Sequence, residues 1–347
     1  MMSELLTVDV IKCHGTSNDF FVLDETAAIL LPDPLKSAFT RLVSNRQGGL
    51  GADGVVFISA FDDHHPRMRF FNPDGSEAEM CGNGLRCAAR ACFEGHYKGQ
   101  NPILFKTLGG DFKTENFFSE PYQLPFVRVT TDVLSTNPEN ILASRTRTPF
   151  LAQPFAVGAQ TYVGTILSVG NPHLIVPVAD LHAIDLMGLG HALENHPMFL
   201  NRANVSFVQV IQPHTILVQT YERGVGLTLA CGTGMLASVV AQVLNGTVVN
   251  QEPVMVHTAG GIVWVTPSVT EGRLSAQLTG NATWVYRGKI PLRIQDDTLH
   301  FASPTVVEKE QVYTEEAAQY AKLASQTLFD RAILKGTSLE QGIISSR

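Results

Sequence analysis

One five-residue pattern occurs twice in the chain and restricts its possible folds more than any other feature. Cys81-Gly82-Asn83-Gly84-Leu85 and Cys231-Gly232-Thr233-Gly234-Met235 share the form C-G-x-G followed by Leu or Met, and 150 residues separate the two cysteines. Each copy opens a stretch of small and apolar residues, which is typical of a buried helix. The two matches predict a duplicated α/β fold in which each half contributes the start of a central helix.

Length and charge favour two domains and a small-molecule partner. A chain of 347 residues is long enough for two domains with full cores and no disulfide bonds. Its 44% hydrophobic and 16% charged residues indicate a folded chain rather than a disordered one. A net charge of −7 disfavours nucleic acid or an anionic membrane as the main partner.

The sequence predicts a cytoplasmic protein with reduced thiols. Its first dozen residues lack the basic and apolar regions of a signal peptide. The uncharged run 224–251 is long enough to cross a bilayer, but its five glycines favour a buried helix with flanking strands. Five unevenly spaced cysteines give neither a disulfide framework nor a C-x2-C zinc site, so we expect no bound metal. We interpret Cys13, Cys87 and Cys92 as small buried apolar residues.

Apolar segments rich in Val, Ile and Phe recur along the chain and predict a fold dominated by sheet. Helices are predicted at about Pro34–Ser44, Cys81–Gly95, Leu181–Glu194 and Cys231–Leu244. We place the N-terminal half at residues 1–125 and the C-terminal half at 126–276, with the seam near Pro121–Pro125 or in the polar loop 135–140. Residues 292–347 form a C-terminal helical extension of unassigned role, with a helix at Thr314–Gly336.

The chemistry of the repeated pattern points to proton transfer at carbon. A cysteine at the first position of a helix faces unpaired N–H groups and the positive end of the helix dipole, which lower its pKa towards neutrality. The N–H groups of Gly82, Asn83, Gly232 and Thr233 offer two anion sites that can bind a carboxylate. With one cysteine as thiolate and the other as thiol, the pair can remove a proton from one face of a carbon and return one to the other face.

Six blocks of residues, in order, make the chain resemble the diaminopimelate epimerases, which interconvert LL- and meso-2,6-diaminopimelate on the route to lysine and peptidoglycan. The blocks are Gly15–Phe20, Phe71–Ser76, Met80–Gly84, Gly170–His173, Asn204–Val208, and Glu222–Gly224 with Ala230–Gly234. The resemblance covers about residues 7–290. It implies two similar halves, each a curled, mostly antiparallel sheet around a central helix, with a strand at about 277–291 returning to the first half. It also implies a homodimer that needs no cofactor.

Site residues follow from the resemblance, position by position. It makes Cys81 and Cys231 the acid/base pair. His173 and Glu222 are implied to adjust the protonation of the thiols. The resemblance further implies that the unreactive end of the substrate is held by Asn18, Asn72, Asn171, Asn204, Glu222 and Arg223. This set fits an ammonium and a carboxylate, because Glu222 suits the cation and Arg223 can grip the anion as a fork.

Two departures from the family pattern stand out. Leu227 replaces a glutamate that is common shortly before the second cysteine, which puts in doubt a supporting contact but not the type of reaction. The extension after about residue 291 is absent from the usual family chain, so no function transfers onto it.

Other motif matches in the chain do not predict a ligand site. Gly49–Gly54 satisfies the dinucleotide pattern G-x-G-x-x-G, but a strand follows it where a helix should begin. Asp62–His65 is interpreted as a solvated turn rather than a metal site, and His191, Glu194 and His196 lack the spacing of a helical zinc motif.

Three alternative functions remain open from the sequence. One is a proline racemase, which Asn83 and the Glu222-Arg223 pair disfavour. Another is a relative specialised for histidine or glutamate, which would differ only in contacts to the unreactive end. A third is a binding protein without catalysis, which has no need of a thiol in both copies of the pattern.

Overall fold

The computed structural model describes residues 4–295, 298–302 and 307–330. It has a mixed α/β fold in which strands predominate, as the sequence predicts. The chain forms two compact units. The first comprises the described parts of Met1–Val129 and Gly280–Lys322, and the second those of Thr130–Thr279 and Leu323–Arg347.

Strands and helices alternate along the described residues. The strands are β1 (Glu4–Gly15), β2 (Asn18–Asp24), β3 (Val55–Ala60), β4 (Pro66–Phe71), β5 (Glu77–Ala78), β6 (Ile103–Thr107), β7 (Gly110–Ser119), β8 (Leu124–Thr131), β9 (Leu134–Ser135), β10 (Gln153–Val157), β11 (Gln160–Val169), β12 (Pro172–Pro177), β13 (Asn204–Gln212), β14 (Thr215–Glu222), β15 (Gly226–Leu227), β16 (Val254–Thr258), β17 (Gly261–Thr270), β18 (Arg273–Asn281), β19 (Thr283–Gln295), β20 (Thr298–Phe301) and β21 (Glu308–Val312). The helices are α1 (Asp33–Ser44), α2 (Gly82–Glu94), α3 (Leu186–Glu194), α4 (Gly232–Leu244) and α5 (Thr314–Ala324), with a short 3-10 turn at Leu181–Ala183.

The two units repeat one order of strand pairing. In the first, β1–β2 is antiparallel, β2–β3 parallel, β3–β4 and β4–β5 antiparallel, β4–β6 parallel and β6–β7 antiparallel. In the second, β11 to β17 pair in the same order and with the same directions. Helices α1 and α3 occupy equivalent parallel crossovers, as do α2 and α4. The duplication predicted from ten residues therefore extends through the fold.

Helices α2 and α4 begin where the repeated pattern predicts. Each has its cysteine as N-cap, and the second helix ends at Leu244 as expected. Residues Gly232–Gln242 are buried on every side, and this explains why α4 is apolar all round. The uncharged run 224–251 thus contains a 13-residue buried helix. None of the helices in the described residues combines the length and apolarity needed to cross a membrane.

Each unit has its own apolar core. In the first unit, α1 packs on a sheet through Phe39 and Val43, which join Phe21 and Phe57 in one cluster. In the second unit, buried side chains of α4 and of strands β11 to β18 form another cluster. The second cluster includes Met235 and Leu236, and it therefore holds the start of α4 in place.

Past residue 291, the described part of the extension is strand as well as helix. Strands β20 and β21 pair antiparallel with β19, through Leu292↔Phe301 and Tyr286↔Val312. The prediction of a purely helical extension missed these strands because β20 has only four residues and the charged stretch 308–311 of β21 shows no apolar alternation. Strands β20 and β21 pair with the side of β19 that does not pair with β1. The predicted helix starts at Thr314 but ends at Ala324, and the rest of that prediction beyond residue 330 lies outside the described residues.

Candidate active site

Cys81 caps the N-terminus of α2. Its Sγ accepts a hydrogen bond from the Gly84 backbone N–H at 3.4 Å, and its side chain is partly exposed. A Cβ on Gly84 would lie 3.1 Å from Val56 Cγ2, so glycine lets the helix start pack closely on β3. The fourth position of the pattern, Gly84, therefore allows close packing and donates the N–H that holds the thiol.

Cys231 has the same local geometry at the start of α4. Gly234 N–H donates to its Sγ at 3.4 Å, and Thr233 Oγ1 lies 3.6 Å from the sulfur. A Cβ on Gly234 would lie 2.7 Å from Thr220 Oγ1, closer than side chains tolerate. Both helices thus present a sulfur beside the N–H groups of a first turn, which is an arrangement suited to binding anions.

Burial dominates the electrostatics of Cys231. It raises the pKa of the thiol well above its usual value, and the Glu222 carboxylate raises it further, while Thr233 and Gly234 act in the opposite sense. The expectation that the helix N-terminus would lower this pKa is therefore wrong for Cys231 in the ligand-free protein. Desolvation of the thiolate outweighs the dipole here.

Asn18 and Asn83 are brought together beside Cys81. Asn83 Nδ2 donates to Asn18 Oδ1 at 3.1 Å, and Asn18 Nδ2 donates to Asp53 Oδ2 at 2.7 Å. Arg46 in turn donates to Asp53 at 2.8 Å. The loop Gly49–Gly54, set aside as a dinucleotide pattern, thus supports a predicted site residue. Its role was invisible in the sequence because the contact spans 35 residues.

Asn72 lies immediately after β4, in a tight loop. Its side-chain amide donates to Ser76 Oγ at 3.1 Å, and its backbone N–H donates to the Ser76 carbonyl at 2.8 Å. The short strand β5 then pairs with β4 and returns the chain towards Cys81. Asn72 is therefore placed on a turn that leads directly to the first thiol, with one face still exposed to solvent.

Four predicted residues of the second unit form one hydrogen-bonded chain. His173 Nε2 lies 3.0 Å from Asn171 Oδ1 and 3.5 Å from Asn204 Nδ2. Asn204 Oδ1 accepts from the Arg223 backbone N–H at 2.9 Å. His173 is fully buried, and burial, aided by the nearby Arg223 charge, lowers its pKa to about 3. The ring is therefore neutral at any working pH.

Glu222 and Arg223 sit at the end of β14, with different surroundings. Thr228 Oγ1 donates to Glu222 Oε1 at 2.6 Å, which directs the carboxylate towards Cys231. The half-exposed Arg223 side chain contacts the Asn201 carbonyl through Nη1 at 3.3 Å. Its fork therefore has solvent-facing N–H groups with which to meet a ligand carboxylate.

The turn after Arg223 depends on a residue that the sequence analysis considered only as a metal ligand. Glu194 Oε1 accepts from the Gly224 backbone N–H at 2.7 Å and from Arg202 Nη1 at 2.9 Å. Gly224 has a φ of 77°, which suits glycine. Glu194 thus fixes the loop that presents Arg223, and only the fold reveals this because 30 residues separate the partners.

Leu227 is a core residue in this chain. It is 7% exposed, pairs with Tyr221 across β14 and β15, and joins an apolar cluster. At the position where the family commonly has a glutamate, this chain therefore has a leucine that packs in the core. Thr228, the next residue, provides the hydroxyl that contacts Glu222.

Asp62–His65 forms the solvated turn that the sequence predicts. Asp62 Oδ1 accepts from the backbone N–H groups of His64 and His65 at 2.9 and 2.8 Å. Among the residues that the structure describes, no three His, Cys, Asp or Glu side chains are grouped as metal ligands.

Comparison with known proteins gives one consistent result. The family model described as diaminopimelate epimerase matches residues 10–123 and 165–285. The diaminopimelate epimerase of Methanothermobacter thermautotrophicus is 38% identical over 278 residues, covering 80% of this chain and 96% of the relative. That of Moorella thermoacetica is 37% identical over 282 residues, covering 81% and 99%.

The fold has counterparts among solved structures. A hydroxyproline epimerase from Agrobacterium vitis superposes with a TM-score of 0.61 at 15% identity, covering 85% of this chain and 93% of that one. At this identity the likeness concerns the fold alone. The family match spans both copies of the cysteine pattern and more than half of the chain. By its sequence, this chain belongs to the diaminopimelate epimerase family.

Proposed function

We propose that the protein is a cofactor-independent diaminopimelate epimerase, which interconverts LL- and meso-2,6-diaminopimelate for lysine and peptidoglycan precursor synthesis. The observation that carries the proposal is the matched pair of N-cap cysteines, one in each copy of a duplicated fold, in a chain of this family. A non-catalytic binding protein has no use for a sulfur at both helix starts.

The reaction is a transfer of two protons. One cysteine, as thiolate, takes the α-proton, and the electrons of the C–H bond remain on the carbon and its carboxylate. The other cysteine, as thiol, donates its proton to the opposite face and becomes the thiolate. Configuration inverts, total charge is unchanged, and the two sulfurs have exchanged protonation states.

Helix N-termini stabilise the charge that develops. The backbone N–H groups of Gly82 and Asn83, and those of Gly232 and Thr233, are assigned to the carboxylate next to the reacting carbon. That carboxylate carries extra negative charge in the transition state, where fixed N–H dipoles are most effective. A fixed donor costs no reorganisation during the reaction.

Surrounding charges distinguish the two thiols before substrate binds. Glu222 and burial favour the protonated form of Cys231. Near Cys81 lies the fully buried guanidinium of Arg86, whose positive charge attracts a thiolate. We therefore assign Cys231 as the proton donor when substrate first binds. The neutral His173 ring lies 3.0 Å from Asn171 Oδ1 through Nε2, and we assign it to order the polar residues of the second unit.

The unreactive end of the substrate is assigned to the remaining polar residues. Arg223 binds the distal carboxylate, Glu222 balances the distal ammonium, and four asparagines provide donors and acceptors: Asn18, Asn72, Asn171 and Asn204. A site with both a cation and an anion at the distal end favours diaminopimelate over proline, which has no distal end.

Location and assembly complete the proposal. Chemistry by thiols suits the reducing cytoplasm, and none of the five cysteines takes part in a disulfide bond. The resemblance to the family implies a homodimer. In this chain β19 is already paired on both sides, by β1 and by β20 and β21, so a second copy cannot extend the sheet where β19 is paired. Light scattering on the full chain measures the assembly directly.

The proposal is tested with reduced protein and LL-diaminopimelate, without added cofactor. We expect conversion to the meso isomer, and its loss in both Cys81→Ala and Cys231→Ala. Proline, histidine and glutamate serve as comparison substrates. Racemisation of one of these in place of diaminopimelate would overturn the substrate assignment while leaving the two-thiol chemistry intact.

A further inference from the structure

The turn between β1 and β2 has an unusual backbone for its sequence. Thr16 and Ser17 both have positive φ, of 55° and 61°, in the two-residue loop that connects Gly15 to Asn18. Such turns favour Asn and Gly, because a Cβ is strained at positive φ, most of all in a β-branched residue. Contacts from outside the hairpin must therefore stabilise this turn.

Two of these contacts hold Thr16. Its backbone N–H donates to Asn281 Oδ1 at 2.9 Å, and its Oγ1 accepts from Arg86 Nη2 at 2.8 Å. Thr16 and Arg86 are both fully buried. Arg86 lies on α2, so this side of the turn is tied to the helix that begins at Cys81.

A third contact comes from the C-terminal helix α5. The Tyr320 hydroxyl lies 2.9 Å from Ser17 Oγ, within hydrogen-bonding distance. The Tyr320 ring packs edge-on against His14, with 4.3 Å between ring centroids, and the residue is 7% exposed. Tyr320 thus touches both sides of the hairpin turn, next to Asn18.

Helix α5 is itself fixed to α2. The Glu316 carboxylate accepts from Arg90 Nη1 at 2.6 Å and Nη2 at 2.7 Å, as a two-point pair. It also accepts from the Trp284 backbone N–H at 3.2 Å. Glu316 precedes Tyr320 by four residues, so both face the same way. The Arg90 pair is well shielded from solvent, and such pairs define geometry well.

We propose that Tyr320 is a positioning residue for substrate binding, which fixes the Thr16–Ser17 turn and through it the orientation of Asn18. The proposal rests on the proposed function, in which Asn18 contacts the unreactive end of the substrate. The family match ends at residue 285, so α5 lies outside it. The extension therefore contributes to the site through a contact that the rest of the family pattern does not specify.

The test removes one hydroxyl at a time. Tyr320→Phe keeps the ring and deletes the contact with Ser17, and we expect KM for diaminopimelate to rise about threefold to tenfold with little change in kcat. Tyr313→Phe is the matched control, because its hydroxyl bonds to Gln311 at 3.0 Å in an exposed setting. We expect that variant to behave like the wild type.

A double variant shows whether Tyr320 acts through Ser17. If both hydroxyls belong to one contact, Ser17→Ala with Tyr320→Phe is no worse than the more affected single variant. Effects that multiply would overturn the proposed route through Ser17.

Hydrogen exchange provides a readout that needs no activity. In Tyr320→Phe we expect faster amide exchange in the peptide covering residues 14–19, and unchanged exchange there in Tyr313→Phe. Unchanged exchange in Tyr320→Phe, or an equal increase in both variants, would overturn the inference. Because this measurement is independent of turnover, a wild type inactive on diaminopimelate would count against the proposed function alone.

Discussion

The Glu222 carboxylate lies within hydrogen-bonding range of the Cys231 thiol and raises its pKa. Because Thr228 Oγ1 donates to Glu222 Oε1 through a 2.6 Å hydrogen bond, the carboxylate is held in place. A negative charge next to a thiol disfavours the thiolate, so Glu222 favours the protonated form of Cys231.

Glu222→Gln should therefore lower the pKa of Cys231. Removing the negative charge makes the thiolate less costly, so the pH midpoint for alkylation of Cys231 moves down. The measurement is the rate of iodoacetamide labelling against pH, read peptide by peptide by mass spectrometry. Glu252→Gln, an exposed carboxylate near His214, is the control. A midpoint that moves up in Glu222→Gln would contradict the assignment.

Gly234→Ala should damage the second thiol site through packing. The added Cβ would lie 2.7 Å from Thr220 Oγ1 and 3.0 Å from Ser206 Oγ. We expect a loss of about 1–3 kcal/mol in the free energy of unfolding, together with a large fall in kcat. Gly48→Ala is the control, since the nearest atom to its added Cβ is 4.0 Å away. Denaturant titration checks the result, and equal stability of Gly234→Ala and wild type would show that the helix start can relax.

Arg223→Lys should raise KM for diaminopimelate about tenfold or more. Lysine keeps the charge but loses the planar fork that binds a carboxylate at two points. The backbone N–H that donates to Asn204 is unaffected by the change, so the loop should keep its shape. Steady-state kinetics measure this effect, with Arg273→Lys on the exposed end of β18 as control. An unchanged KM would remove Arg223 from the binding site.

His173→Gln should weaken the dependence of stability on pH. Burial lowers the pKa of His173 to about 3, below its ordinary value of 6.5. Its contribution to the free energy of unfolding is therefore complete above pH 6.5 and is lost as the pH falls towards 3. Between these values the unfolded chain binds a proton at this histidine and the folded chain does not. At pH 5 the loss of unfolding free energy due to His173 is about 2 kcal/mol.

We expect the loss of unfolding free energy between pH 7 and pH 5 to be smaller by that amount in His173→Gln than in the wild type. Urea titrations at the two pH values provide the comparison. A lower stability of the variant at pH 7 does not affect the comparison, because only the change in unfolding free energy between the two pH values is used. Identical pH dependence in the two proteins would mean that His173 is accessible to protons in the folded state.

How far the sequence leads depends on the range of the contacts involved. The starts of α2 and α4 were predictable because capping and the glycine pattern are local, and Cys81 and Cys231 are indeed their N-caps. The roles of Asp53 and Glu194 were not, because each acts on a residue 30 or more positions away. The residues next to Asp53 and Glu194 in the sequence do not indicate which distant residue each of them will contact.

The pKa of Cys231 shows a second limit. The helix dipole is visible in the sequence, but burial and the approach of Glu222 depend on the folded chain, and they reverse the expected direction. Strand β21 shows a third limit, since the charged segment 308–311 becomes a strand only because β19 offers it an edge. The pKa of Cys231 and the conformation of the charged segment both depend on contacts that form only in the folded chain.

The central claim is that two thiols act on opposite faces of one carbon. The most direct measurement is the early reaction of LL-diaminopimelate with reduced protein in D2O, with the α-hydrogen of substrate and product followed separately by mass spectrometry. A two-thiol mechanism predicts deuterium in the meso product from the first turnovers, little deuterium in the remaining LL isomer, and loss of conversion in both Cys81→Ala and Cys231→Ala. Product that keeps its original α-hydrogen, or conversion that survives in either variant, would contradict it.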